Sequence, residues 1–87
     1  MYYVYILRTL NSSLYVGVSG DVDRRVERHR AGLGAEFTRR NKVDRLVYTE
    51  TYLTYLDARR RERQIKGWTR LKKENLIRYG KPVASIA

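Results

Sequence analysis

The sequence predicts a small α+β domain: a three-stranded antiparallel sheet flanked by three helices, in the order β-β-α-β-α-α. Three observations carry this. Two short apolar, tyrosine-rich runs near the N-terminus are separated by a turn signal at Asn11-Ser12-Ser13. Strand-like stretches then give way to helical spacing of apolar residues, bounded by capping residues or glycines. The chain has 87 residues, enough for one thin core and no second domain. The domain is expected over residues 1–82, with 83–87 as an irregular C-terminal tail.

Tyr2 to Leu7 is aromatic and β-branched and contains no breaker, so it reads as a strand. It is apolar on both faces, which suits the centre of a sheet. Leu14 to Val18 follows as its hairpin partner. Ser19-Gly20-Asp21 stops that strand, and Ser19 or Asp21 can cap a helix. From Val22 to about Ala31, Val22, Val26 and His29 form one helical stripe with Arg24, Glu27 and Arg28 turned outward; Gly32 and Gly34 end it. Ala35 to Lys42 is polar and basic, a loop or short turn. Arg45 to Glu50 is the third strand. Tyr52 to Lys66 is the second helix, ended by Gly67. Thr69 caps the third, Arg70 to Tyr79, which Gly80 and Pro82 terminate.

Composition narrows the function. There is no Cys and one His, which excludes disulfides, thiolate chemistry and Cys- or His-rich metal sites. No apolar run reaches membrane-span length and no signal peptide opens the chain, so a cytoplasmic protein with no membrane partner is expected. The net charge is +10. Nucleic acid is the natural partner for such a surface. Arg outnumbers Lys 14 to 5, and guanidinium suits phosphate better than ammonium does. Residues 1–50 hold 9 basic and 6 acidic residues; residues 51–87 hold 10 and 3. The C-terminal part is therefore the more basic. Arg24, Arg28, Arg39, Arg40, Lys66, Arg70 and Lys72 are the candidate nucleic-acid contacts.

Individual residues sharpen this. Arg59 to Lys73 contains eight basic residues and one acid, Glu62. Tyr55, Ala58, Glu62 and Ile65 share a helical face, so the acid lies in the apolar stripe while the arginines point outward. A carboxylate there needs a partner, either a salt bridge to Arg59 or Lys66 or a metal ion. Arg25 and His29 are four apart, hence adjacent on one helix face. They read either as a phosphate clamp or as a surface Arg beside a half-buried His. Eight Tyr against one Phe is a strong bias. Tyr2, Tyr3, Tyr5 and Tyr15 suit a half-buried sheet, base stacking or proton transfer.

Together these pieces resemble the GIY-YIG nuclease domain in its small, stand-alone bacterial form. The first motif stands as Tyr3-Val4-Tyr5 and the second as Tyr15-Val16-Gly17. The helix signature DVDRRVERH places Arg25 eight residues after Gly17 and His29 four after Arg25. Phe37-Thr38, Leu46 to Glu50 and the RERQIKGW segment from Arg61 to Trp68 follow in order. Tyr3 replaces the first Gly of the pattern, Val16 an Ile, and Asn41 a common Tyr.

The resemblance implies a metal-dependent endonuclease that hydrolyses phosphodiester bonds in DNA, with Mg²⁺ or Mn²⁺ held by Glu62 and no small-molecule cofactor. It implies that Tyr5 acts as general base towards water and that Arg25 binds the scissile phosphate. Tyr15 and His29 would position water and phosphate or aid proton transfer. Gly17 would be structural, because a side chain there would crowd the sheet–helix turn. Asn75 is available for the additional Asn that such nucleases often use. The alternatives are a non-catalytic basic nucleic-acid-binding module and an RNA-directed nuclease. A monomer or weak dimer is expected.

Overall fold

The computed structural model describes residues 1–81. Pro82 as helix terminator and the tail at 83–87 lie outside the described residues. The elements are β1 (Tyr2–Thr9), β2 (Leu14–Ser19), α1 (Val22–Arg30), α2 (Glu36–Arg40), β3 (Val43–Tyr52), α3 (Tyr55–Lys66) and α4 (Arg70–Tyr79). The sheet order is β2-β1-β3, antiparallel throughout, with β1 in the centre as its two apolar faces require.

Two elements differ from expectation. The polar stretch after Gly34, expected as a loop or short turn, contains the short helix α2. Its polar sequence offers no apolar period, and Thr38 is its buried residue. The third strand is longer than the apolar run Arg45 to Glu50, because backbone pairing to β1 extends from Val43 to Tyr52. This leaves α3 to begin at Tyr55, capped by the Thr54 hydroxyl, which accepts from the Asp57 amide at 3.2 Å. The other caps follow the same chemistry. Asp21 accepts from the Arg24 amide and Thr69 from the Lys72 amide, while Gly80 closes α4 in the left-handed region at φ 76°.

Helices cover both faces of the sheet. Val4, Ile6 and Val16 pack with Ala58 and Ile65 of α3 and Leu76 of α4 on one side. Tyr5 and Leu7 pack with Val26 of α1 on the other. The alternation of β1 side chains thus splits the core into two thin layers. A polar clamp fixes α3 to β3. The Glu50 carboxylate accepts from Tyr48, from Tyr52 at 2.6 Å, and from Arg61 at 2.9 and 3.0 Å. The Arg61 guanidinium also lies over Trp68, 5.0 Å from the ring centroid. Arg61 therefore points inward, against the expectation that every Arg of this helix faces solvent: the half-buried Glu50 outcompetes water for it. A second pair, Arg8 with Glu74, ties β1 to α4 through two hydrogen bonds of 2.7 and 3.0 Å.

Candidate active site

The β1–β2 register places Tyr5 opposite Gly17 and Leu7 opposite Tyr15, so both phenols stand on the α1 face of the sheet. The Tyr5 ring leans across Gly17: a Cβ at that position would lie 2.5 Å from Tyr5 Oη and 2.6 Å from Cζ. Gly17 is thus needed within strand β2, where it leaves room for the phenol. The expected crowding at a sheet–helix turn is not its reason.

The stripe of α1 delivers His29 to the same place. His29 is buried, and its Nε2 is 2.9 Å from Tyr5 Oη. Its Nδ1 is 2.7 Å from Thr38 Oγ1 of α2. The Tyr15 ring lies 4.9 Å from the imidazole and 6.3 Å from the Tyr5 ring, centroid to centroid, and Phe37 stacks on its far side at 6.1 Å. Gly34 lets the backbone pass against the imidazole, since a Cβ there would lie 2.2 Å from His29 Nδ1. Sequence reasoning assigned Gly34 only to ending a helix, and Phe37-Thr38 only to a motif.

Arg25 is exposed, one turn before His29 on α1. With Ser19, Asp21, Arg24 and Arg28 it lines an open cleft of about 290 Å³. Its charge reaches His29 and both phenols. Glu62, on α3, is 5 % exposed, as its place between buried Ala58 and Ile65 requires; Tyr55 at the start of the same stripe is exposed. Ala58 and Ile65 of that stripe pack against the sheet, on the face that carries Val4, Ile6 and Val16. The Glu62 charge reaches both phenols. One Glu62 oxygen is bonded by Arg59, and the other lies 3.3 Å from Lys66 Nζ. Both salt bridges weighed from the sequence therefore form, around a buried carboxylate.

Electrostatics set the protonation states. Burial, then the Tyr15 phenol and the Glu62 carboxylate, push the Tyr5 hydroxyl far above its ordinary value, against a lowering pull from Arg25. Burial and Glu62 likewise raise Tyr15. Burial, with Arg25 and Arg28 adding to it, lowers His29. At neutral pH the cluster therefore holds two protonated phenols and a neutral imidazole.

The remaining basic candidates divide. Arg24, Arg28, Arg39 and Lys72 are exposed. Arg40 pairs with Glu36 at 3.0 Å on the surface. Arg70 is tied to the Ser12 carbonyl and to Glu74, so it braces the β1–β2 turn. Asn75 is half-buried on α4.

Among the described residues no three His, Cys, Asp or Glu side chains cluster as a metal cage. A lone carboxylate still fits Mg²⁺ or Mn²⁺, hard cations that keep several waters and accept phosphate oxygens. Glu62 already holds two cationic groups, and Arg59 and Lys66 are exposed enough to yield to another.

The site defines a class. Residues 1–75 match the GIY-YIG catalytic domain, and the chain belongs to the GIY-YIG family of nucleases, which generally use divalent metals. Its relatives include small bacterial proteins. UPF0213 proteins of Staphylococcus aureus strains Mu3 and Mu50 are each 44% identical over 77 residues, spanning 88% of this chain and 94% of theirs. The solution NMR structure of a UPF0213 protein from Bacillus halodurans is 42% identical, covers 90% of this chain and 84% of that one, and has a TM-score of 0.57 to it.

Proposed function

We propose that this chain is a metal-dependent endonuclease that hydrolyses phosphodiester bonds in DNA. The observation that carries this reading is the hydrogen bond between buried Tyr5 and buried His29, with Arg25 and Glu62 close enough to shift the phenol. Phosphoryl transfer depends on charge neutralisation and an aligned nucleophile more than on covalent chemistry. Arg25, at the open cleft, binds the scissile phosphate and stabilises the charge that develops on it. Arg24 and Arg28 hold the strand on either side of it. Tyr5 takes the proton of the attacking water as its own proton passes to His29 Nε2. This relay reconciles a base role with a phenol held protonated at neutral pH. Tyr15 packs between His29 and Phe37 and holds the water in line. Glu62 would hold Mg²⁺ or Mn²⁺, which supplies charge stabilisation at the phosphate and leaving oxygen.

The test is cleavage of branched, flapped, single-stranded and duplex DNA with Mg²⁺ or Mn²⁺, wild type against Glu62→Ala. Metal-dependent cutting lost by at least about 100-fold in the variant supports the reading. Absence of cleavage, or an unchanged variant, overturns it.

One observation favours a non-catalytic binding module: both Glu62 oxygens are engaged by Arg59 and Lys66. That reading expects salt-dependent DNA binding without turnover. Cleavage of RNA in preference to every DNA substrate would redirect the activity to an RNA-directed nuclease.

A further inference from the structure

The hydrogen-bond chain that begins at Tyr5 continues beyond His29. Thr38 Oγ1 donates to the Ala35 carbonyl at 2.9 Å and lies 2.7 Å from His29 Nδ1. A hydroxyl carries one hydrogen, and a carbonyl can only accept. Thr38 therefore spends its hydrogen on Ala35 and meets His29 as an acceptor, so the hydrogen between them sits on Nδ1. In a neutral imidazole the other nitrogen then carries the lone pair. That nitrogen, Nε2, faces Tyr5 Oη at 2.9 Å, which makes the phenol the donor.

The opposite tautomer loses the contact with Thr38. It would set the Nδ1 lone pair against a hydroxyl oxygen whose hydrogen is directed at Ala35. Tyr5, His29 and Thr38 are each 2 % exposed, so water has little access to repair such a mismatch. Gly34 completes the socket by leaving the space beside Nδ1 free of a Cβ. Helix α2, five residues long, carries its one buried side chain to this spot.

We propose that Thr38 is a positioning residue that holds His29 in the Nδ1–H tautomer, so that Nε2 stands ready to accept the Tyr5 proton. The consequence for rate rests on the nuclease reading; the tautomer is a property of the folded chain alone. In the reaction, the attacking water gives a proton to Tyr5 and forms the new P–O bond. The Tyr5 proton moves to Nε2, making an imidazolium whose Nδ1–H remains on Thr38. The old ester P–O bond breaks, and its oxygen takes a proton from solvent. The imidazolium then returns its proton to solvent.

His29 is the only histidine of the chain, so long-range ¹H–¹⁵N NMR correlations of its ring are unambiguous. At pH 8, wild type is expected to show the Nδ1–H pattern. Thr38→Ser, which keeps the hydroxyl, should retain it. Thr38→Val, nearly equal in shape but without the hydroxyl, should shift the ring towards Nε2–H. In cleavage assays Thr38→Val should lower kcat about 10- to 100-fold with KM unchanged, and Thr38→Ser should restore most of it. A wild-type Nε2–H ring overturns the proposal, as does a folded Thr38→Val protein that keeps Nδ1–H. If Thr38→Val does not fold, the wild-type and Thr38→Ser spectra decide by the same criterion. If the wild type cuts no nucleic acid, the nuclease reading fails while the spectra still test the tautomer.

Discussion

At the scale of single residues, the site depends on what is missing as much as on what is present. Gly17 and Gly34 each stand where a Cβ would strike a ring of the relay, Tyr5 in one case and His29 in the other. Gly17→Ala is expected to displace the Tyr5 phenol and to cost about 1–3 kcal/mol of stability by overpacking. Combining it with Tyr5→Phe should not restore stability, because the clash includes ring carbon Cζ at 2.6 Å as well as Oη. Thermal melts of the two variants and the double variant check this. Full recovery in the double variant would show that only the hydroxyl collides. Glu62 shows how a residue can be legible in part. Its burial followed from helical spacing. Its simultaneous pairing with Arg59 and Lys66, and its influence on the two phenols, did not.

At the scale of elements, ion pairs between distant segments fix the helices on the sheet. Arg61 joins α3 to Glu50 of β3, and Arg8 of β1 joins Glu74 of α4. Arg8 bonding, with help from Arg70 and against the cost of burial, pulls the Glu74 carboxyl down to about 2. A folded-state value below the ordinary 4.5 means that the stabilisation is complete above pH 4.5 and is lost as pH falls towards 2. The carboxyl is partly solvated, so the contribution is about 1–2 kcal/mol. Glu74→Gln should therefore lose that much stability at pH 7, and its unfolding free energy should fall less steeply than wild type between pH 4.5 and 2. Denaturant titrations across that window measure it, and parallel pH profiles would contradict it. The helix α2 belongs to this scale too. Nothing in its polar sequence marks it as an element; burial of Thr38 against His29 does.

At the scale of the whole molecule, the net charge of +10 is shared between two tasks. Some arginines hold the fold together, and others stand exposed at the cleft, Arg28 with one long bond of 3.4 Å to the Leu33 carbonyl. Arg28→Ala should weaken DNA binding and reduce the salt slope of log K by about 1, because it removes one phosphate contact. Arg70→Ala should lower the melting temperature while leaving the slope unchanged, since Arg70 is committed to Ser12 and Glu74. Fluorescence anisotropy over a salt series separates the two. Equal slope changes would place Arg70 in the nucleic-acid surface after all. The radius of gyration of 12.7 Å is that of a small compact domain, so binding sites for DNA must be built on the surface of a thin core.

Local sequence determined β1, β2 and the three longer helices, the central place of β1, the burial of Glu62 and the family motifs, but not α2 or the full length of β3. Each follows from propensity, side-chain period or order along the chain, all of which act over a few residues. Tertiary structure alone decided which residues meet. The Tyr5–His29 bond joins positions 24 apart, Arg61 with Glu50 joins positions 11 apart, and Arg8 with Glu74 joins positions 66 apart. It also decided the tautomer of His29, because a proton's place depends on which acceptor folding brings to each ring nitrogen, and Thr38 reaches Nδ1 only once α2 closes against α1.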